Sequence, residues 1–344
     1  MQSDLLKERL FDLISETEPA DFSFAEIVRR RWQNIAKPLG GLGAFEDIVC
    51  RIASVQKTET PTVEKRALAI FCADNGIVEE GVSQTDSSVT RIVYENMKRG
   101  MSSACKMAEI ASCDVFPYDV GISPRGTKNF LKEDAMTFSN AIESIFRGIE
   151  IAGELSSRYD ILATGEMGIG NTTTSSAVLA SLLSLDASVV TGRGAGLSDS
   201  SLKHKIEVIR RGIEMRNVDK TDVLDVLHKV GGFDIASMCG FFIGGAIHHR
   251  PVIIDGLISA VSALCAVKLC PHVSDILIPS HVSSEPAGKI VLGALNLEPL
   301  VTAGMHLGEG TGCMTVLPML DMALNVFRTM PTFDEISIEA YKPL

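Results

Sequence analysis

Three stretches of this chain hold residues whose types and spacing suit the binding and chemistry of a small anionic ligand. The first, Gly165–Thr174 (GEMGIGNTTT), follows a short apolar run and opens an Ala/Leu-rich segment, SSAVLASLL. Glycines let a backbone come close to a ligand, and the free amides at a helix start point at an anion. Asn171 or a neighbouring threonine is placed to cap that helix. The stretch is no Walker A loop, since no Lys-Ser/Thr follows the glycines, and it lacks the GxGxxG dinucleotide fingerprint. An ordinary capped strand-to-helix turn is the alternative reading of the same residues.

The second stretch, Gly192–Gly196 (GRGAG), precedes LKHKIEVIRR at 202–211, which reads as the start of a basic-faced helix. A phosphate calls for a point positive charge, and Lys203 or Lys205 supplies one if the helix begins at the same sheet edge. Otherwise either lysine is a solvated surface residue. In the third stretch, Leu307–Gly312 (LGEGTG), Glu309 is the only charge in the run LGEGTGCMTVLPML. Apolar neighbours desolvate a carboxylate and raise its pKa, which suits general-base work near neutral pH. The competing role is an acid at a helix N-terminus, stabilised by the macrodipole. The seven histidines form no HxxxH or HExxH set, and His248–His249 suit a solvated turn, so no metal is implied. Without a GxSxG elbow or a distinctive cysteine context, no nucleophilic triad is supported.

Short β-rich runs recur at βαβ spacing and would position these loops: Ala67–Cys72, Asp114–Tyr118, Ile161–Ala163, Pro251–Ile254 and Asp275–Ile278. They predict an α/β, Rossmann-like, mainly parallel sheet with helices on both faces. In such sheets ligands bind beyond the carboxyl ends of the strands. The polar residues there are Asp74–Gly76, Asp119–Gly121, Gly165–Gly168, Asp255–Gly256 and Ser280–His281, and together they predict one crevice. Residues 1–60 and 312–344 lack the strand rhythm and read as a small helical subdomain attached to a large catalytic domain at 61–311.

At 344 residues, with 46% hydrophobic and 22% charged side chains, the chain has the composition of a globular protein. Its 32 basic against 43 acidic residues, a formal charge of -11, argue against a nucleic-acid partner. Met1–Glu16 reads as an amphipathic helix rather than a secretory signal, and Pro251–Cys270, broken by Asp255 and Lys268, is too short an apolar run to span a bilayer. Eight cysteines without a CxxC pair, mostly in apolar surroundings, read as buried reduced thiols of a cytoplasmic protein.

Taken together, KPLGGLG at 37–43, ADNGIVEEGVS at 73–83, DVGI at 119–122, GEMGIGNTTTSSA at 165–177, GRGAGL at 192–197, VGGFDIA at 230–236, DGLIS at 255–259, PSHVSSEPAG at 279–288 and LGEGTG at 307–312 resemble the nicotinate-nucleotide:dimethylbenzimidazole phosphoribosyltransferases (CobT). The matching segments run through nearly the whole chain. The resemblance implies that a ring nitrogen of an aromatic base attacks ribose C1′ of nicotinate mononucleotide with inversion. Nicotinate leaves, and the α-ribotide serves cobamide (vitamin B12) nucleotide-loop assembly.

The resemblance also implies roles. Glu309 is the general base. Glu166 and the amides of Gly168, Ile169, Gly170, Asn171 and Thr172 hold ribose and phosphate. Lys205 and Ser283 complete the phosphate site, and Gly192 and Gly194 flank it. The base, 5,6-dimethylbenzimidazole, a relative or a phenol, is assigned to a flat apolar slot made partly by Val82–Met97. Val89, Val93 and Met97 share a helix face there, with core packing as the alternative, and Thr85 and Val93 count among the substrate contacts. No cofactor is implied. The expected assembly is a homodimer, with a heteromer of paralogues as the variant. Leu39, Gly41 and Asn75 depart from the usual KPPGSLG and DHG patterns. A non-catalytic partner subunit and a nucleotide-binding oxidoreductase are the alternatives, the latter lacking its GxGxxG.

Overall fold

The computed structural model describes residues 2–194 and 196–341. Met1, Ala195 and residues 342–344, read from sequence as parts of the first helix, the second glycine loop and the tail, lie outside the described residues. Five strands, β1 (Arg66–Ala73), β2 (Asp114–Gly121), β3 (Ile161–Met167), β4 (Val252–Ile254) and β5 (Leu277–Pro279), pair in parallel in the order β2-β1-β3-β4-β5. The expected doubly wound α/β architecture is therefore present. The last strand starts later than the sequence predicts, because Val273–Ile276 closes a helical turn and leaves the strand to Leu277–Pro279.

β1 is buried along its whole length, as an inner parallel strand with both faces covered must be. Its side chains alternate between two cores. Ala67, Ala69 and Phe71 face helices that include Phe138–Ser156 and Phe233–Ile247, whereas Leu68, Ile70 and Cys72 face helices Phe22–Asn34, Ala44–Gln56, Ser103–Ala111 and Thr311–Thr329. Gly148 and Gly240 bring the first pair of helices into backbone contact; a Cβ at either would lie 1.8 Å from a carbonyl oxygen of the other helix. The chain ends meet on the second face, where the Trp32 and Phe327 rings lie 5.0 Å apart and Arg31 donates to the Phe327 carbonyl at 3.1 Å. Helix Gln2–Ser15 instead lies on the first face, with Leu10 fully buried. All eight cysteines are buried and unpaired. Among the described residues no helix is long and apolar enough to cross a membrane.

The chain runs from β1 to β2 on one side and then places β3 on the other. The order thus reverses between β1 and β3, the point at which such sheets commonly bind ligands.

Candidate functional site

A cavity of about 770 Å³ lies beyond the ends of β3, β4 and β5, lined by all three glycine-rich stretches together with Gly256, His281 and Ser283. The sequence predicts a single crevice over all five strand ends, and the structure corrects this. Asp74 and Gly76, after β1, open instead on a separate cavity of about 690 Å³ with Ser123 and Lys128. Asp119, near the end of β2, is spent on the Gly121 and Ile122 amides and on Arg91 and Arg125. The division follows from the first glycine loop, which packs over the end of β1: a Cβ at Gly168 would lie 2.3 Å from the Ala73 carbonyl oxygen. Asn75 supports this loop from below, accepting from the Thr174 hydroxyl at 2.8 Å, so its departure from the family pattern falls beneath the loop.

The loop leads into helix Asn171–Leu183, whose N-cap is Gly170 at φ +92, a left-handed conformation that brings no capping side chain. Two amides of the expected cradle are already used: Ile169 donates to Thr90 Oγ1 at 3.2 Å and Asn171 to the Gly168 carbonyl at 3.1 Å. The amides of Gly170 and Thr172 have no protein acceptor among the described residues. Beside them stands Lys205, on helix Asp199–Met215, fully buried and donating to Thr172 Oγ1 at 2.8 Å. Burial pulls its pKa down to about 8. Lys203 is exposed, so of the two lysines only Lys205 lies against the glycine loop. A buried ammonium with donors to spare is costly unless an anion joins it, which is the signature of an anion site.

Glu309 projects from a left-handed residue, φ +60, between two glycines that are themselves left-handed. Two contacts hold this strained backbone. Gly165 of β3 passes so close that a Cβ would lie 2.6 Å from the Glu309 carbonyl, and Asp255, at the end of β4, accepts from the Gly310 and Gly312 amides at 3.0 and 2.7 Å. Gly310 is the N-cap of helix Thr311–Thr329 and has no side chain, so Asp255 caps that helix from another strand. The half-buried Glu309 carboxylate faces the Ala104 amide at 3.4 Å, near the N-terminus of helix Ser103–Ala111. Helix-end stabilisation and a place in the cavity thus coexist, where the sequence had set them as alternatives.

Glu166 lies in the same cavity, hydrogen-bonded by the Asn171 amide group and packed against Gly308, next to Glu309 in the chain. Burial, reinforced by Asp234 and Asp255, raises its pKa to about 8. Asp234, fully buried below Gly168, is raised to about 6, again by burial. Burial also pushes Asp255 up and His281 down, each opposed by the charge of the other.

Glu166, Gly168, Ile169, Asn171, Thr172, Gly192, Gly194, Ser283 and Glu309 all line the main cavity, while Gly170 and Lys205 line a small cavity of about 90 Å³ behind the loop. The start of the predicted base segment, Val82–Gln84, forms the far wall of that small cavity. Thr85 is exposed, Val93 packs against the second core and Met97 is buried within it, and none of them lines the main cavity. The apolar wall there comes from Met167, Ile169, Leu257, Ile258 and Leu307. Sequence reasoning passed over Glu285 and His306, which also line the cavity, and Asp234 beneath it. The SSEPAG motif contained the signal for Glu285; for Asp234 no short-range signal exists. Among the described residues no cluster of three His, Cys, Asp or Glu side chains is placed to hold a metal ion.

A doubly wound sheet with a buried lysine behind a glycine loop and a carboxylate in the cavity before it befits an enzyme of sugar-phosphate transfer, and the family model described as phosphoribosyltransferase matches residues 17–338. The chain is 43% identical over 332 residues to the nicotinate-nucleotide–dimethylbenzimidazole phosphoribosyltransferase of Acetivibrio thermocellus, covering 92% of this chain and 95% of that protein. The protein of the same name from Ruminiclostridium cellulolyticum is 40% identical, over 97% of this chain and 99% of its own length. The crystal structure of CobT from Thermus thermophilus superposes with a TM-score of 0.88 at 32% identity, covering 93% of this chain and 100% of that one. This chain belongs to the nicotinate-nucleotide:dimethylbenzimidazole phosphoribosyltransferase family.

Proposed function

We propose that the chain transfers phosphoribose from nicotinate mononucleotide to an aromatic base, 5,6-dimethylbenzimidazole or a relative, giving nicotinate and an α-ribotide for cobamide assembly. The observation that carries the reading is a glycine loop with a buried lysine behind it, in a small adjoining cavity, and a carboxylate held in a fixed backbone conformation in the main cavity in front of it. Lys205, Thr172, Ser283 and the free amides of Gly170 and Thr172 anchor the 5′-phosphate. That anchor fixes the ribose for in-line attack. Nicotinate departs from a cationic pyridinium and takes no proton, whereas the benzimidazole N–H must be lost. Glu309 accepts it. Glu166, with a pKa of about 8, is protonated near neutral pH and offers a hydrogen-bond donor to the sugar.

Four finer readings belong with this one. The acidic net charge and unpaired buried thiols support a cytoplasmic enzyme without a nucleic-acid partner. Exposed Ile110 and Met322, on helices that pack together, support a homodimer. The contact between Trp32 and Phe327 supports joining 1–60 to 312–344 as a small unit beside a large one at 61–311 only beyond helix Gln2–Ser15, which packs on the first face. Thr85 and Val93 remain substrate contacts only if the Val82–Met97 segment moves toward the cavity when the base binds.

Nicotinate release measured against a panel of benzimidazoles, purines and phenols tests the reading. An apolar wall separates bases that differ by one methyl by about 1–3 kcal/mol, so specificity constants for 5-methylbenzimidazole and its 5,6-dimethyl relative should lie within roughly 200-fold. Rejection of the monomethyl base by several further orders of magnitude contradicts a permissive slot, and release at the same rate without any base contradicts the transfer itself.

A further inference from the structure

We propose that Glu285 is the built-in counter-anion of the phosphate cradle, holding in the unliganded protein the loop amide and the lysine field that the substrate's phosphate takes over. The inference rests on the phosphate reading above and adds to it a residue that sets the affinity of the site. After β5 the chain folds back through Ser283–Pro286 onto the second glycine loop. There the Glu285 carboxylate lies on Gly192, so close that a Cβ at that glycine would stand 1.5 Å from Oε2. The Gly194 amide faces the same carboxylate and holds its pKa down, and the Glu285 amide donates to Ser283 Oγ at 3.3 Å. Three elements assigned to the phosphate, namely Gly192, Gly194 and Ser283, are therefore in contact with Glu285.

Lys205 completes the argument. Its ammonium bonds Thr172 Oγ1, and no carboxylate among the described residues lies within ion-pair distance of it. Glu285 is the acid whose charge acts on it: the carboxylate lies in the main cavity against Gly192, the ammonium behind the loop, where a Cβ at Gly194 would stand 3.6 Å from Nζ, and His306 adds a weaker field at Glu285. Burial pushes the Glu285 carboxyl up and Lys205 down, and the attraction between them opposes both shifts. A phosphate that enters between them meets one favourable charge and one like charge. To gain the Gly194 amide it must displace the carboxylate. The Ser284 amide donates to the Met305 carbonyl at 3.0 Å and the Gly288 amide to the Glu285 carbonyl at 2.9 Å, so it is the Glu285 side chain, not the backbone, that must give way.

Calorimetric titration of the full-length protein with inorganic phosphate, and separately with nicotinate mononucleotide, tests the proposal in wild type, Glu285→Gln and Glu285→Asp. Glu285→Gln should bind both ligands about tenfold more tightly, the scale of removing one like-charge contact in a partly buried site. Glu285→Asp, whose shorter arm reaches the Gly194 amide less well, should fall between the two, and it carries the test should the glutamine variant fail to fold. Unchanged or weaker phosphate binding in these variants overturns the proposal. So does weaker nucleotide binding with phosphate binding unaltered, which would assign Glu285 to the ribose hydroxyls. Lys205→Met separates the two levels of argument: undiminished phosphate binding in that variant would refute the phosphate site itself, whatever Glu285 does.

Discussion

Lys205 predicts an inverse relation between stability and binding. Burial lowers its pKa from 10.5 to about 8. At about 1.36 kcal/mol per unit, the charged form is disfavoured in the folded protein by something on the order of 3 kcal/mol. Below pH 8 the amine is protonated in both the folded and the unfolded chain, so the whole penalty is present. Between 8 and 10.5 the unfolded chain binds the proton more tightly, stability rises with pH, and above that window the penalty is gone. Lys205→Met removes the penalty and gives up one hydrogen bond to Thr172, worth about 1 kcal/mol. The variant should therefore be more stable than wild type by roughly 2 kcal/mol at pH 7 in the absence of ligand, and the gain should shrink as pH approaches 10. Nicotinate mononucleotide should stabilise wild type and leave the variant almost unaffected. Urea denaturation at pH 7 and pH 9.5, with and without the nucleotide, measures all of this. A variant less stable than wild type at pH 7 that still gains stability from the nucleotide would refute the reasoning.

Two further outcomes follow from the acids. Glu309→Gln should keep the fold and nucleotide affinity while turnover falls by about 10²-fold or more, the scale of general-base catalysis; single-turnover kinetics with near-normal rates would remove Glu309 from that role. Glu166, raised from 4.5 to about 8 by burial, keeps its proton in the folded chain after the unfolded chain has lost it, so stability declines as pH rises through that interval. Glu166→Gln should abolish that decline, and a stability difference between wild type and variant that is the same at pH 5 and pH 8 would contradict the assignment.

The parallel sheet was readable because each inner strand is a short apolar run that ends in a polar or glycine-containing turn. Local composition reports this directly. The three glycine-rich stretches were likewise visible, but the strand-end rule placed only the first at the crevice, since the other two follow no strand. Three features were not readable. Lys203 and Lys205 lie on one helix two residues apart, and only the packing of helix Asp199–Met215 against the loop buries Lys205 and exposes Lys203. The Asp255 carboxylate reaches Gly310 and Gly312 across a sequence gap that no periodicity spans. The partition of the sheet edge into two cavities depends on how Gly168 packs over Ala73, a close approach that sequence cannot place. The loops' resemblance to a family indicated which residues matter, while the physical reason each one matters came from burial and contact.

The most direct test of the central claim is the product itself. Purified protein incubated with nicotinate mononucleotide and 5,6-dimethylbenzimidazole should release nicotinate only when the base is present, in equal amount to a ribotide that proton NMR identifies as the α-anomer. Release of nicotinate without ribotide, or a β-linked product, would contradict in-line transfer from a phosphate-anchored ribose to a base deprotonated by Glu309.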